Sequence, residues 1–418
     1  MFEITFLRHG ESIGNAEGYF QGQYDYQLSE RGKEQAEALA NRWVAEDESF
    51  DQIISSPLLR AKETADIINR SLNRPIEFDP IWMERDNGNL AGVKHENARI
   101  SNPRPDFIKL FDPIGETGES EWQLFLRSGK AVQSLLRRIP GKYLIISHGG
   151  ILNKVFHTIF GLKPQANFQG THFRFDNVGF SKISYSPEIN KWRIFTHNDT
   201  SHLPTMINSN QPYQFTLLRH GKSEGNAQHI FQGQADFPLN SEGQQQVQAL
   251  AFRWAQDSTH FDHLISSPLL RARQTAEIIA DKLRLKIEEN HLLKEVDNGQ
   301  MAGLSLDKID ELFPLREDRL NPFTPIGGTG ETWYELYLRA GRFLQLLTEY
   351  PPGNYLIVSH GGAINSLLWA ALGIVPRAPN HLPTFYFENT AFATLGYHPE
   401  NNLWQLMNAC DYRHTLKS

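Results

Sequence analysis

Phe2-Glu3-Ile4-Thr5-Phe6-Leu7-Arg8-His9-Gly10 is a short, largely apolar run that stops at an arginine, a histidine and a glycine. It reads as a buried strand with Arg8 and His9 at its carboxyl end. The stretch returns once. Phe6-Leu7-Arg8-His9-Gly10 is matched by Leu217-Leu218-Arg219-His220-Gly221, 211 residues later. Ile54-Ser55-Ser56-Pro57-Leu58-Leu59-Arg60-Ala61 returns at that offset as Ile265-Ser266-Ser267-Pro268-Leu269-Leu270-Arg271-Ala272, and Glu84 returns as Glu295. Tyr143-Leu144-Ile145-Ile146-Ser147-His148-Gly149-Gly150 returns as Tyr355-Leu356-Ile357-Val358-Ser359-His360-Gly361-Gly362 at an offset of 212, so one residue is gained between Glu295 and His360. Asp199 and His202 align with Asp411 and His414. A two-copy repeat of this length is a duplicated domain, not a solenoid.

The repeat sets the domain boundaries. The copies span residues 1–203 and 213–418, and the polar, proline-bounded stretch 204–212 reads as a linker. Each copy is long enough for its own core. Hydrophobic content of 40% and charged content of 21% describe a globular protein in water. A net charge of −7 argues against nucleic acid or a membrane surface as the general partner, while leaving room for a local basic pocket. Cys410 is the only cysteine, which excludes an intrachain disulfide and a multi-cysteine metal site. The sequence has no run of 18 apolar residues to span a membrane, and Glu3 stands where a signal peptide carries base. The expected location is the cytoplasm. Two similar domains on a short linker suit either a homodimer or an intrachain pseudo-twofold pair.

Local patterns place the motifs. Ser29 opens a helical pattern with Ala36, Leu39, Ala40, Trp43 and Val44 at helical spacing; from Ser241 the counterparts are Val247, Leu250, Ala251 and Trp254. Residues 50–55 read as a strand. Ser56 reads as an N-cap with Pro57 at the first helical position, which puts Arg60 near the first turn. Residues 143–147 form an apolar strand that ends at His148, before Gly149, Gly150 and a helix. Residues 173–185 and 192–195 read as strands. Three strand-to-helix junctions thus carry Arg8 and His9, Arg60, and His148. In an open α/β sheet, sites form outside the carboxyl ends of the strands, where helix N-termini offer N–H groups to an anion.

Each copy holds two histidines, two arginines and one separated glutamate. Arginine forks match phosphate oxygens. A neutral imidazole is a competent nucleophile toward phosphorus. A carboxylic acid can protonate the leaving alkoxide, and its carboxylate can then activate water. Gly88 and Gly92 suit a loop whose backbone comes close to substrate. Taken singly, each of these residues is as readily structural or solvated. Their recurrence together, in order, points to catalysis.

These motifs resemble the histidine phosphatase superfamily, the phosphoglycerate mutase-like group, over nearly the full length of both copies. Arg8-His9-Gly10-Glu11-Ser12 with Asn15 is similar to its first signature, and Ser55-Ser56-Pro57 with Arg60-Ala61 and Thr64-Ala65 to its second. Glu84 with Gly88 and Gly92, Gly118-Glu119-Ser120 with Arg127, and Ser147-His148-Gly149-Gly150 resemble the rest. The resemblance implies tandem α/β/α three-layer sandwiches around a mostly parallel sheet, with no metal and no cofactor. It makes His9 and His220 the nucleophiles and Glu84 and Glu295 the proton donors. Arg8, Asn15, Arg60 and His148 would bind the phosphoryl group in the first copy; Arg219, Asn226, Arg271 and His360 would do so in the second. Gln21, Gly22 and Gly149, with Gln232, Gly233 and Gly361, are candidate substrate contacts.

The copies also depart from the pattern. Lys222 stands where the first copy has Glu11, Thr332 replaces Ser120, and Val296 replaces Arg85. Many phosphatases of the group carry Trp-Glu before the last glycine of the acid motif; here the pairs are Leu90-Ala91 and Met301-Ala302. Only 64 residues separate Glu84 from His148, and 65 separate Glu295 from His360. The group's mutases carry a longer insert there, with an adjacent arginine pair; neither insert here has one, and Arg137-Arg138 lies after the first insert, on a predicted helix. The expected activity is therefore hydrolysis of phosphate monoesters of small metabolites at two sites. The alternatives are a phosphoglycerate mutase-type phosphotransferase, a protein phosphatase, or a phosphoryl-binding protein with one degenerate copy. Specificity is expected from residues 93–117 and 304–329, with Lys94, Arg99, Arg104 and Lys109, or Lys308, Arg316 and Arg319, gripping a second anionic group.

Overall fold

A computed structural model of the chain describes residues 1–101, 110–164, 170–204, 212–313, 321–376 and 382–415. The chain divides into two compact units, Met1–Ile207 and Asn208–Ser418.

Each unit is mixed α/β. In the first, neighbouring strands follow the order Ile76–Phe78, Gln52–Ser55, Lys142–Ser147, Phe2–Arg8, Phe180–Ser186, Lys191–Asp199. The first four are parallel, and Phe180–Ser186 runs against both of its neighbours. The second unit repeats the order with Ile287–Glu289, His263–Ser266, Gly353–Ser359, Tyr213–Arg219, Phe392–His398 and Leu403–Asp411.

Side-chain alternation along the central strand builds the layers. Leu7 faces a core shared with Leu39 and Trp43 of helix Glu30–Ala45 and with Ala61, Ala65 and Ile68 of helix Leu59–Leu72. Phe6 points the other way, onto Trp82 and onto Phe156 of helix Gly149–Phe160. Both faces of the sheet are thus covered, as parallel strands require. In the second unit Leu218, Leu250, Trp254, Ala272 and Ile279 repeat the first of these cores. The repeated Asp199 and Asp411 are structural. Arg42 Nη2 reaches Asp199 Oδ2 at 3.0 Å, and Arg253 Nη1 reaches Asp411 Oδ1 at 3.2 Å, tying the long first helix to the last strand in each unit.

Three readings need correction. Val44 is 57% exposed, because the apolar stripe ends one residue earlier, at Trp43. Ser56 does not cap a helix: the helix starts at Leu59 with Leu58 as N-cap, and the Ser56 hydroxyl is bonded elsewhere. The strand read through residues 173–185 is broken after Phe173, and a turn at Val178, with φ of 50°, carries Phe175 to Asn177 toward the carboxyl end of strand Phe2–Arg8.

Candidate active site

His9 follows the central strand and is 2% exposed. Its Nδ1 lies 2.6 Å from Gly10 O, an acceptor only, so Nδ1 carries the proton. Nε2 is then the lone-pair nitrogen, and it accepts from Arg60 Nε at 3.2 Å. Burial pushes the His9 pKa well below 6.5, and the nearby Arg60 and Arg8 push it further the same way. The ring is neutral at physiological pH.

Arg60, the second residue of its helix, is 1% exposed. Its Nη1 and Nη2 donate to Tyr24 O at 3.0 Å and Gly22 O at 2.7 Å. These partners are backbone carbonyls and an imidazole, with no carboxylate among them. Burial lowers its pKa to about 10, against the opposing pull of Glu84 and Asp25. A buried guanidinium held this way can receive an anion. Arg8 donates from Nη1 to Phe175 O at 2.7 Å, while its buried Nε has no hydrogen-bond partner among the described residues.

His148 is the N-cap of helix Gly149–Phe160, and its ring centre lies 5.0 Å from that of His9. Ser56 Oγ accepts from Leu58 N and lies 2.8 Å from His148 Nε2. His148 Nδ1 is buried and has no hydrogen-bond partner among the described residues; when Ser56 donates to Nε2, Nδ1 carries the proton and is a free N–H donor. Burial, then Arg60, His9 and Arg8, hold His148 well below its ordinary pKa.

Glu84 lies at the same helix N-terminus. Its carboxylate accepts from Gly150 N at 3.0 Å, Ile151 N at 3.1 Å and Arg85 N at 2.8 Å. A Cβ at Gly150 would fall 2.4 Å from Glu84 Oε1, so glycine is required there by the carboxylate. Arg127 fixes the segment behind Glu84. It donates to Ile81 O, Met83 O and Glu84 O and pairs bidentately with Glu119. Gly88 does not approach a ligand: its Cβ would fall 2.4 Å from Gly118 N, so its role is to pack two loops.

Asn15 Oδ1 is taken by Ser12 and by Asn177 Nδ2, so its amide Nδ2 is the free donor. Asn177 also holds His9 O at 3.1 Å. Gln21 accepts from Ser12 Oγ at 2.6 Å, and Gly22 serves through its carbonyl. Gly149 lies against Arg8. Lys94 lies over the Tyr19 ring, 5.4 Å from its centre. The Arg99 side chain, Arg104 and Lys109 fall outside the described residues, as do Arg316 and Arg319.

The second unit reproduces the arrangement. Arg271 Nε meets His220 Nε2 at 3.2 Å, His220 Nδ1 is 2.7 Å from Gly221 O, and His360 Nε2 is 2.8 Å from Ser267 Oγ. The His220 and His360 ring centres are 5.1 Å apart. Arg219 donates to Phe387 O and keeps its Nε unpartnered. Glu295 accepts from Gly362 N at 3.1 Å, Ala363 N at 2.9 Å and Val296 N at 2.9 Å. Asn226 Oδ1 is met by Ser223 and Asn389, and Gln232 accepts from Ser223 Oγ. Gly233 contributes its carbonyl to Arg271, and Gly361 faces Arg219. A cleft of about 940 Å³ opens over this site, lined by His220, Arg219, Arg271, Glu295 and the segment around Leu306–Phe313 and Thr324–Gly328. Lys308 is not among its lining residues. Among the described residues, no group of three or more His, Cys, Asp or Glu could hold a metal. No helix there is long and apolar enough to cross a membrane.

Sequence reasoning missed two contributors. Ser56 lies inside the second motif, where its neighbours in sequence read as a helix cap. Asn177 and Asn389 recur at the offset of 212, and that recurrence was the signal available for them.

A model of the histidine phosphatase superfamily (branch 1) matches residues 4–200 and again 215–410. A probable phosphoglycerate mutase, GpmB, of Yersinia enterocolitica is 37% identical over 177 residues, covering 40% of this chain and 79% of that protein. An uncharacterized phosphatase, PhoE, of Bacillus subtilis is 37% identical over 162 residues, covering 38% of this chain and 78% of that protein. Among solved structures, a mycobacterial glucosyl-3-phosphoglycerate phosphatase is 25% identical and covers 47% of this chain and 98% of its own, with a TM-score of 0.43. The chain is a phosphomonoesterase-type enzyme that belongs to the histidine phosphatase superfamily, branch 1, with one copy of the family's domain in each unit.

Proposed function

We propose that each unit hydrolyses phosphate monoesters of small metabolites through its own phosphohistidine. One observation carries this reading: a neutral, buried histidine presents Nε2 to a fully buried arginine that has no carboxylate partner, and the geometry recurs within 0.1 Å in the other unit.

His9 Nε2 attacks phosphorus, and the bond to the leaving oxygen breaks. Glu84, entering as the acid, gives that oxygen its proton. The ring becomes cationic, and Nδ1–H stays bonded to Gly10 O, which favours the charge. Arg8, Arg60, His148 Nδ1–H and Asn15 Nδ2 supply the donors that balance charge on the transferring group. The Glu84 carboxylate then takes a proton from water, which attacks phosphorus and frees His9 and phosphate. His220, Glu295, Arg219, Arg271, His360 and Asn226 act likewise.

The test is product analysis on a panel of phosphometabolites with the His9→Ala and His220→Ala variants. Release of inorganic phosphate by each variant, and none by the double variant, supports two hydrolytic sites. Formation of an isomeric ester without phosphate would replace hydrolysis by phosphotransfer.

A further inference from the structure

The two sites share their phosphoryl-handling groups and differ in the wall next to the proton donor. In the first unit that wall is ionic. Arg85 Nη2 pairs with Glu121 Oε1 at 2.6 Å, and Lys154 Nζ pairs with Glu121 Oε2 at 2.7 Å. One carboxylate shared by two cations leaves net positive charge beside Glu84. His172 lies near both Lys154 and Arg174.

At the matching positions the second unit has Val296, Trp333 and Ser366, with Thr384 and Tyr386 in place of His172 and Arg174. Of the five charged or histidine side chains of the set none remains, and Tyr386 is the one titratable group among their replacements. Val296 and Trp333 line the cleft directly, and the Trp333 ring lies 6.2 Å from that of Trp369, which replaces His157. Met301, Leu306, Ile309 and Phe313 extend the apolar lining outward. Among the described lining residues the only cations are Arg219 and Arg271, both at the phosphoryl end, and the only carboxylates are Glu295 and Asp310.

We infer that the second site takes phosphomonoesters whose remainder is apolar, whereas the first takes esters carrying a further charged group. The inference rests on the hydrolytic reading above and adds the substrate class. An apolar remainder buries against Trp333 and Val296 at a gain. A carboxylate placed there loses its water and meets no cation among the described residues. In the first unit the same carboxylate approaches Arg85, which stands at the position of the cleft-lining Val296 within a cluster of net positive charge.

The experiment compares 1-naphthyl phosphate with phosphoglycolate in His9→Ala, which leaves the second site, and in His220→Ala, which leaves the first. The ratio of kcat/KM for naphthyl phosphate over phosphoglycolate should be at least about tenfold higher in His9→Ala. Adding Trp333→Glu and Val296→Arg to His9→Ala should remove most of that excess. Equal ratios in the two single-site variants would overturn the inference and leave the hydrolytic reading intact. If His9→Ala hydrolyses neither ester, the hydrolytic reading of the second site fails. The polarity claim is then read by calorimetry of 1-naphthylmethylphosphonate. Binding to His9→Ala that weakens about tenfold on Trp333→Glu supports it, and unchanged binding overturns it.

Discussion

Arg60 Nε donates to His9 Nε2 at 3.2 Å, so a cation sits on the lone pair proposed to attack phosphorus. That bond holds the imidazole neutral and aimed, and in the proposed mechanism it is given up as the N–P bond forms. The guanidinium then faces the phosphoryl oxygens at the moment their charge redistributes. Arg60→Lys keeps the charge but loses the planar fork that spans His9, Gly22 and Tyr24. In a His220→Ala background it should lower kcat/KM by about 100-fold or more. Steady-state phosphate release checks this, and a loss of less than about threefold would contradict the role.

Glu84 is positioned by the backbone of a helix that starts with two glycines. Because a Cβ at residue 150 would fall 2.4 Å from its carboxylate, Gly150→Ala should act as a displaced Glu84. Both Gly150→Ala and Glu84→Gln, again with the second site silenced, should cost about 100-fold on alkyl phosphates. In kcat/KM, which reports formation of the phosphohistidine and not its hydrolysis, the loss should be much smaller on 4-nitrophenyl phosphate, whose leaving group needs no proton. Equal losses on both substrates would argue against proton donation.

Arg127 reaches three carbonyls of residues 81–84 and pairs with Glu119. Arg127→Met leaves those carbonyls and Glu119 unpaired. Denaturant unfolding should show a loss of about 3 kcal/mol. At the first site kcat should fall more than KM rises, since Glu84 is displaced while the phosphoryl contacts remain. An unchanged kcat would make Arg127 a purely structural clamp.

Acid stability follows from the buried histidines. His9, His148, His220 and His360 are held well below 6.5, and His157, His172 and His414 are lowered to about 4, in each case first by burial. The unfolded chain therefore takes up these protons first. The stability they contribute is complete above pH 6.5 and is lost as pH falls through 6.5 toward each folded value. Each histidine contributes at most about 1.4 kcal/mol per pH unit inside that window. The apparent Tm should drop steadily from pH 7 to 5, before most carboxylates titrate. A flat Tm over that range would contradict the burial of these rings.

The motif residues were legible because Arg8 with His9, Arg60 and His148 sit at strand-to-helix junctions and, together with Glu84, recur at an offset of 211 or 212. His9, Arg60, Glu84 and His148 come together as their junctions converge, and His220, Arg271, Glu295 and His360 do the same. Contacts made by backbone geometry were not legible. Ser56 looks like a cap from its neighbours in sequence, yet its hydroxyl is spent on His148, 92 residues away. Asn177 holds the carbonyl of His9 across 168 residues, from a turn that an apolar run disguised as strand. Val44 fits the helical stripe by count and misses the core by one position at the helix end. The polarity difference between the two sites was visible only in part, as Arg85 against Val296. Its extension through Glu121 and Lys154 needed the fold to bring those residues together.

The central claim is that both histidines carry the phosphoryl group. Brief exposure of the chain to a phosphomonoester labelled at phosphorus, quenched and digested at alkaline pH, reads this directly. The account predicts acid-labile, alkali-stable label on the two peptides containing His9 and His220, with His9→Ala and His220→Ala each removing one. Label confined to one peptide would leave one working site. Label that survives acid, or none on either histidine while phosphate is still released, would contradict the phosphohistidine mechanism.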